Sequence, residues 1–197
     1  MQNKILLSPI FQNIEFDSEP RRNRLADLAK LAELDTHSAE LTGKDAKEVI
    51  GVIASSFPIH TRFYEEAEDL RIIARWGVGY EKVNVDVATQ HGVIVTLSPE
   101  HMVTVAEYAI TQWLATLKRV YTLNRMSHGG NFSIIRTYES EGSTLGLYGF
   151  GRIGQAVAVR AKPLLGDEGR LLIYDIRPDI KELAEKFGAI AVENPLT

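Results

Sequence analysis

The chain has 197 residues, 45% of them hydrophobic and 24% charged, with 22 Lys and Arg against 26 Asp and Glu for a net charge of −4. That balance excludes the disordered, collagen-like and coiled-coil classes and offers no basic excess for nucleic acid, and the lack of cysteine removes disulfides, thiolate metal sites and a cysteine nucleophile. No apolar run approaches the ~18 residues that span a bilayer and the N-terminus lacks the apolar core of a signal peptide, so a cytoplasmic protein of one large or two small domains is expected.

Short apolar runs and helical stretches alternate through the first hundred residues. Lys4–Ser8 reads as a strand, and Arg21–Leu31 places Leu25, Leu28 and Leu31 at amphipathic helical spacing. Val49–Ala54, Arg71–Ala74 and Val93–Thr96 are apolar without alternation, the pattern of parallel strands covered by helices on both faces. Thr61–Leu70 and Val85–His91 between them read as helices, the second stopped by Gly92. The order predicts a small α/β layer domain.

One long helix is predicted next. Pro99 and Glu100 open it, and an apolar stripe through Val103, Ala106, Ile110, Trp113 or Leu114, Leu117 and Tyr121 carries it from Met102 to Tyr121. Ser127–Gly142 reads as loop, Thr144–Tyr148 as strand, Arg152–Leu164 as helix and Arg170–Tyr174 as strand. Asp179–Phe187 reads as a helix stopped by Gly188, and Ala189–Val192 opens a further strand.

The strongest chemical signal is Gly149-Phe150-Gly151-Arg152-Ile153-Gly154, which follows a strand and opens a helix. In such a loop the first glycine allows the tight turn. The second lets a pyrophosphate reach the backbone, and the third lets helix and strand pack closely. The helix N-terminus adds unpaired N–H groups and partial positive charge. Asp175 closes the second strand 21 positions after Gly154, where a carboxylate accepts ribose hydroxyls and repels a 2′-phosphate. That favours NAD over NADP, although Arg177 nearby is a residue type that holds a 2′-phosphate.

Arg75-Trp76-Gly77-Val78-Gly79-Tyr80-Glu81-Lys82-Val83 at a strand end, then Val87–Thr96, Thr104-Val105-Ala106-Glu107, Gly149–Gly154 and Tyr174-Asp175 follow one another in an order that resembles the D-isomer-specific 2-hydroxyacid dehydrogenases. The resemblance covers almost the whole chain. It implies a flavodoxin-like substrate domain over residues 1–100. The linker helix and the first half of a Rossmann NAD-binding domain would follow over 101–197. It implies that Val78 and Gly79 present backbone N–H groups to a substrate carboxylate and that Ser55 and Ser56 line the cleft. It further implies that Thr104 faces the cofactor, that Gly149, Gly151, Arg152, Ile153 and Gly154 line the pyrophosphate, and that Asp175 takes the adenine ribose. The partners implied are a 2-hydroxy or 2-oxo acid, NAD, and a second copy of the chain, through the Met102–Tyr121 region. No metal, membrane or nucleic acid is implied.

The chain departs from the family pattern at Glu81 and at Asn84, where the family usually has Asp, and in Leu164–Arg170, which reads as a surface insertion. In the family a His, a supporting Glu and an Arg perform the chemistry, and no position here matches them. The histidines (His37, His60, His91, His101 and His128) read as helix-end or surface residues, His101 being nearest the expected cofactor. The expectation is therefore a C-terminally truncated dehydrogenase chain, inactive alone, with the first strand of its nucleotide-binding sheet left as an edge. The alternative is a non-catalytic NAD-binding module with a regulatory or dimerising role.

Overall fold

A computed structural model describes residues 3–12, 18–37, 40–99 and 101–194. The chain divides into two compact units, Met1–Pro99 and Glu100–Thr197.

The first unit contains β1 (Lys4–Leu7), α1 (Glu19–Ala29), β2 (Glu33–Thr36), β3 (Val49–Ala54), α2 (Thr61–Glu66), β4 (Ile72–Arg75), α3 (Val85–Gln90) and β5 (Ile94–Leu97). All five strands are parallel, in the order β2-β1-β3-β4-β5. This is the doubly wound order of flavodoxin-like sheets, whose direction of winding reverses between the first and third strands. Central β3 carries the buried Val49, Val52 and Ala54, and with Ile73 of β4 it packs against Phe63, Tyr64, Leu70, Val83 and Ala88. Burial of these side chains is the main stabilising term of the unit.

The uninterrupted apolar character of the strands has different outcomes at the centre and at the edge. β3 is covered, whereas Ile94 of edge strand β5 is 62% exposed. α1 buries no residue completely: Leu25 and Leu28 are half-buried and Leu31 is exposed beyond its end. Asn84 caps α3, its Oδ1 accepting the Val87 N–H at 3.1 Å, so the departure from the family pattern at this position supports the helix start.

The second unit contains α4 (Met102–Leu117), α5 (Val120–His128), β6 (Thr144–Tyr148), α6 (Arg152–Leu165), β7 (Arg170–Tyr174), α7 (Ile180–Lys186) and β8 (Ile190–Ala191). The strands form a parallel sheet in the order β6-β7-β8, with Tyr148 opposite Tyr174 and Ile173 opposite Ala191. Leu145, Leu147, Leu171 and Ile173 pack into a core with Phe150, Ala158, Leu165 and Ala184, joined by Trp113 of α4. Gly146, Tyr148, Leu172 and Tyr174 line a depression of about 270 Å³ with Val192 and Asn194. Among the described strands, β6 pairs with β7 alone, which leaves it at the sheet edge.

The single long helix expected over Met102–Tyr121 is instead two helices. Arg119 adopts the left-handed conformation, with φ 50° and ψ 36°. The Leu117 carbonyl accepts the N–H of Tyr138 at 3.0 Å, and the Tyr121 hydroxyl donates to Gln112 Oε1 at 2.6 Å across the break. The apolar period runs through the junction without a glycine or proline, so local sequence carries no sign of it. Glu100, expected to help open α4, lies outside the described residues.

Within Leu164–Arg170, expected as a surface segment, Leu164 and Leu165 belong to the last turn of α6. Leu165 is fully buried and Gly166 takes φ +67°, while a Cβ at Gly169 would stand 2.3 Å from the Leu165 carbonyl oxygen. Asp167 and Glu168 form the segment's exposed tip. His37 likewise differs from its expected surface position: it is 7% exposed, with its ring edge-on to Phe57 at 4.2 Å. The described parts of His60, His91, His101 and His128 lie at helix ends or on the surface.

Candidate functional site

In the first unit the sequence-predicted residues cluster at the carboxyl ends of parallel strands, where open α/β sheets place ligands. Ser8 follows β1 and Ser55 follows β3, on the two strands between which the winding reverses. The fully buried Ser8 hydroxyl donates to Ser55 Oγ at 2.6 Å. Ser55 is thus tied to the end of the neighbouring strand. Ser56 accepts from Arg75 Nη2 at 3.2 Å.

Arg75, the last residue of β4, is the organising side chain that the motif reading passed over. Its Nη1 donates to the Trp76 carbonyl and to the Ala54 carbonyl, the latter at 3.4 Å. With the Ser56 contact, one guanidinium joins the exit loops of β3 and β4. The signal available in the sequence was its position directly before the Trp76-Gly77 turn. Gly77, at φ +132°, makes that turn, and a Cβ there would meet Arg75 Nη1 at 3.0 Å. Val78 and Gly79 follow on the bend, Val78 37% exposed, and Gly77 accepts the Ser98 N–H at 3.0 Å from the end of β5. The loop that carries Val78 and Gly79 is therefore held from both sides by neighbouring strand ends.

In the second unit the three glycines of the β6–α6 loop answer to different demands. Gly149 has φ +95°, which L side chains rarely adopt. Gly154 is required by packing: a Cβ there would stand 2.3 Å from the Gly149 carbonyl oxygen. Gly151 is under neither constraint. Its φ is −72°, and a Cβ would meet nothing within 4 Å. Gly151 also stands at the N-cap of α6, where it offers no side chain to the first-turn N–H groups. Arg152 and Ile153 of that turn are exposed, and so is Thr104 in the first turn of α4.

Phe150 anchors the loop. It is fully buried and edge-on to Phe187 with centroids 5.1 Å apart, and its carbonyl accepts Gln155 Nε2 at 3.0 Å. An apolar residue between two glycines was the available sign of this anchor. Asp175, at the end of β7, reaches across to the same loop: Oδ2 accepts the Phe150 N–H at 2.5 Å and Oδ1 accepts the Arg177 N–H at 3.0 Å. The Phe150 amide is the main reason that the Asp175 carboxyl is held below its ordinary pKa, with the Arg177 amide and charge acting in the same direction. Among the described residues no group of three or more His, Asp or Glu side chains is placed to hold a metal ion.

A family model described as "D-isomer specific 2-hydroxyacid dehydrogenase, catalytic domain" matches residues 10–193. The chain belongs to the D-isomer-specific 2-hydroxyacid dehydrogenase family. This family member is 30% identical over 203 residues to a glyoxylate reductase of Thermococcus litoralis, an alignment that covers 98% of the chain and 56% of the relative. It is 35% identical over 139 residues to a glyoxylate reductase of Korarchaeum cryptofilum, covering 67% of the chain and 40% of the relative. Its fold matches that of a D-lactate dehydrogenase from Aquifex aeolicus, solved with NAD and lactic acid, at a TM-score of 0.74 and 21% identity over 96% of this chain and 56% of that one. The chain spans about half the length of the curated relatives it matches.

Proposed function

We propose that this chain supplies the substrate-carboxylate and dinucleotide-binding parts of an NAD-dependent oxidoreductase that interconverts 2-hydroxy and 2-oxo acids. The observation that carries the reading is Gly151. The fold itself explains glycine at 149 and 154, but nothing among the described residues requires it at 151, as when an external group must approach the backbone. NAD, when bound, would supply the hydride acceptor or donor. Gly149, Gly151, Arg152, Ile153 and Gly154 would hold its pyrophosphate against the open N–H groups of α6. Asp175 would accept hydrogen bonds from the adenine ribose, and Thr104 would lie beside the cofactor.

The substrate's carboxylate would take the backbone N–H groups of Val78 and Gly79, which bring positive dipoles without a further cation. Ser55 and Ser56 would form the adjoining wall, with Arg75 acting as the residue that positions both loops. In this reading residues 1–100 form the substrate domain, and 101–197 the linker helices and nucleotide-binding half. The exposed Val105, Tyr108 and Tyr121 of the α4–α5 region would contribute to a homodimer contact. Glyoxylate is the first substrate to try, because two relatives bear that name.

Gly151→Ala tests the reading. The added methyl meets no atom of the described residues within 4 Å, and the preference for glycine at a helix N-cap is worth at most about 1 kcal/mol, so the variant is expected to keep its fold. NADH affinity, measured by fluorescence titration, is expected to fall at least ~10-fold as the methyl keeps the pyrophosphate from the backbone, a loss of about 1.4 kcal/mol. Unchanged affinity in a folded variant overturns the proposal.

A further inference from the structure

NAD and NADP differ by one phosphate on the adenine ribose, and a guanidinium close to that ribose is the usual means of holding it. Such a group stands two residues beyond Asp175: the backbone N–H of Arg177 donates to Asp175 Oδ1 at 3.0 Å, so both belong to one turn after β7. Its side chain, however, is engaged elsewhere. Arg177 Nε donates to Asp179 Oδ1 at 3.0 Å, and Nη2 donates to Asp179 Oδ2 at 2.6 Å. This is the two-pronged geometry in which guanidinium and carboxylate match best.

Asp179 is itself unusual for its place. It directly precedes α7, where an aspartate ordinarily caps the helix backbone, yet its side chain makes no capping bond. Both oxygens are given to Arg177. Asp175, Arg177 and Asp179 together carry one positive and two negative charges, which opposes a phosphate dianion. Neutralising Asp179 would bring this group to zero and release the guanidinium.

We infer that Asp179 is a positioning residue that sets nucleotide choice, by fastening Arg177 where it does not serve a 2′-phosphate. The inference rests on the dinucleotide reading above and adds to it the residue that decides between two cofactors. Arg177 alone would favour NADP; the Arg177–Asp179 pair favours NAD.

The test is titration of the 197-residue chain and its variants with NADH and with NADPH, with thermal melting as the check on folding. The wild-type chain is expected to prefer NADH. Asp179→Asn, which keeps size and shape, and Asp179→Ala, which removes the partner completely, are expected to bind NADPH about tenfold more tightly, the scale of one charge-assisted contact. Adding Arg177→Ala to Asp179→Ala is expected to cancel the gain, a reversal that a purely structural role for Asp179 would not produce. Folded single variants that bind NADH but show no gain for NADPH overturn this inference and leave the dinucleotide reading intact. A wild-type chain that prefers NADPH overturns it as well. A wild-type chain that binds neither nucleotide overturns the dinucleotide reading and this inference together.

Discussion

The Asp175 carboxylate holds the glycine loop by accepting the Phe150 N–H from 25 positions away. Because the folded pKa lies below the unfolded one, the carboxylate stabilises the fold above the unfolded aspartate's pKa of about 3.9. That contribution is lost as pH falls through the lower, folded value. Asp175→Asn is therefore expected to melt below wild type at pH 7, and the gap is expected to close in acid as the wild-type group takes up its proton. A gap independent of pH would show that the charge is not what matters. Gly154→Ala provides the contrast to Gly151→Ala. Its Cβ would press on the Gly149 carbonyl oxygen, and overpacking of this kind costs about 1–3 kcal/mol. The expected readout is a melting temperature lowered by more than Gly151→Ala lowers it. The glycine spacing was legible in the sequence because each such turn is local. The hydrogen bond from Phe150 to Asp175 was not, because it joins residues that only the sheet brings together.

Among the elements, the break between α4 and α5 is the least local feature. Left-handed backbone costs a non-glycine residue about 1–2 kcal/mol, and Arg119 accepts it because Tyr138 occupies the Leu117 carbonyl that a continuous helix would have used. Arg119→Gly is expected to stabilise the chain by about 0.5–1 kcal/mol, since the relief of strain exceeds the added freedom of the unfolded chain. A raised denaturation midpoint at constant slope would report it, whereas a lowered midpoint would place the strain elsewhere. The apolar strands were read well because apolar runs of four to six residues bounded by turns have few alternatives, whereas β2 went unread because its Glu33-Leu34-Asp35-Thr36 is mostly polar. The coverage of the apolar strands was not legible: apolar β3 is interior and apolar β5 is an edge, and the difference lies in strand order, not in composition.

For the molecule as a whole, binding and chemistry are separable expectations. The proposed binding groups lie on strand-exit loops and in the first turns of α4 and α6, whereas His60, His91, His101 and His128 lie at helix ends or on the surface and His37 is packed on Phe57. None is assigned the proton transfer that reduction of a 2-oxo acid requires. The 197-residue chain is therefore expected to bind NADH but not to oxidise it when glyoxylate, hydroxypyruvate or pyruvate is added. Absorbance of the reduced nicotinamide checks this, and turnover would require an acid among these residues.

The sequence by itself determined the α/β class, the apolar strands and most of the helices between them, the glycine loop and the acid that ends the next strand. These follow from periodicity, turn chemistry and fixed spacing, all of which act over a few neighbouring residues. Tertiary structure alone decided that Arg75 would join two strand exits, that His37 would be buried, that the long helix would break at Arg119 and that Asp175 would clasp Phe150. Each depends on a carbonyl, ring or amide supplied from a distant part of the chain, and such a partner becomes available only once the sheets have assembled.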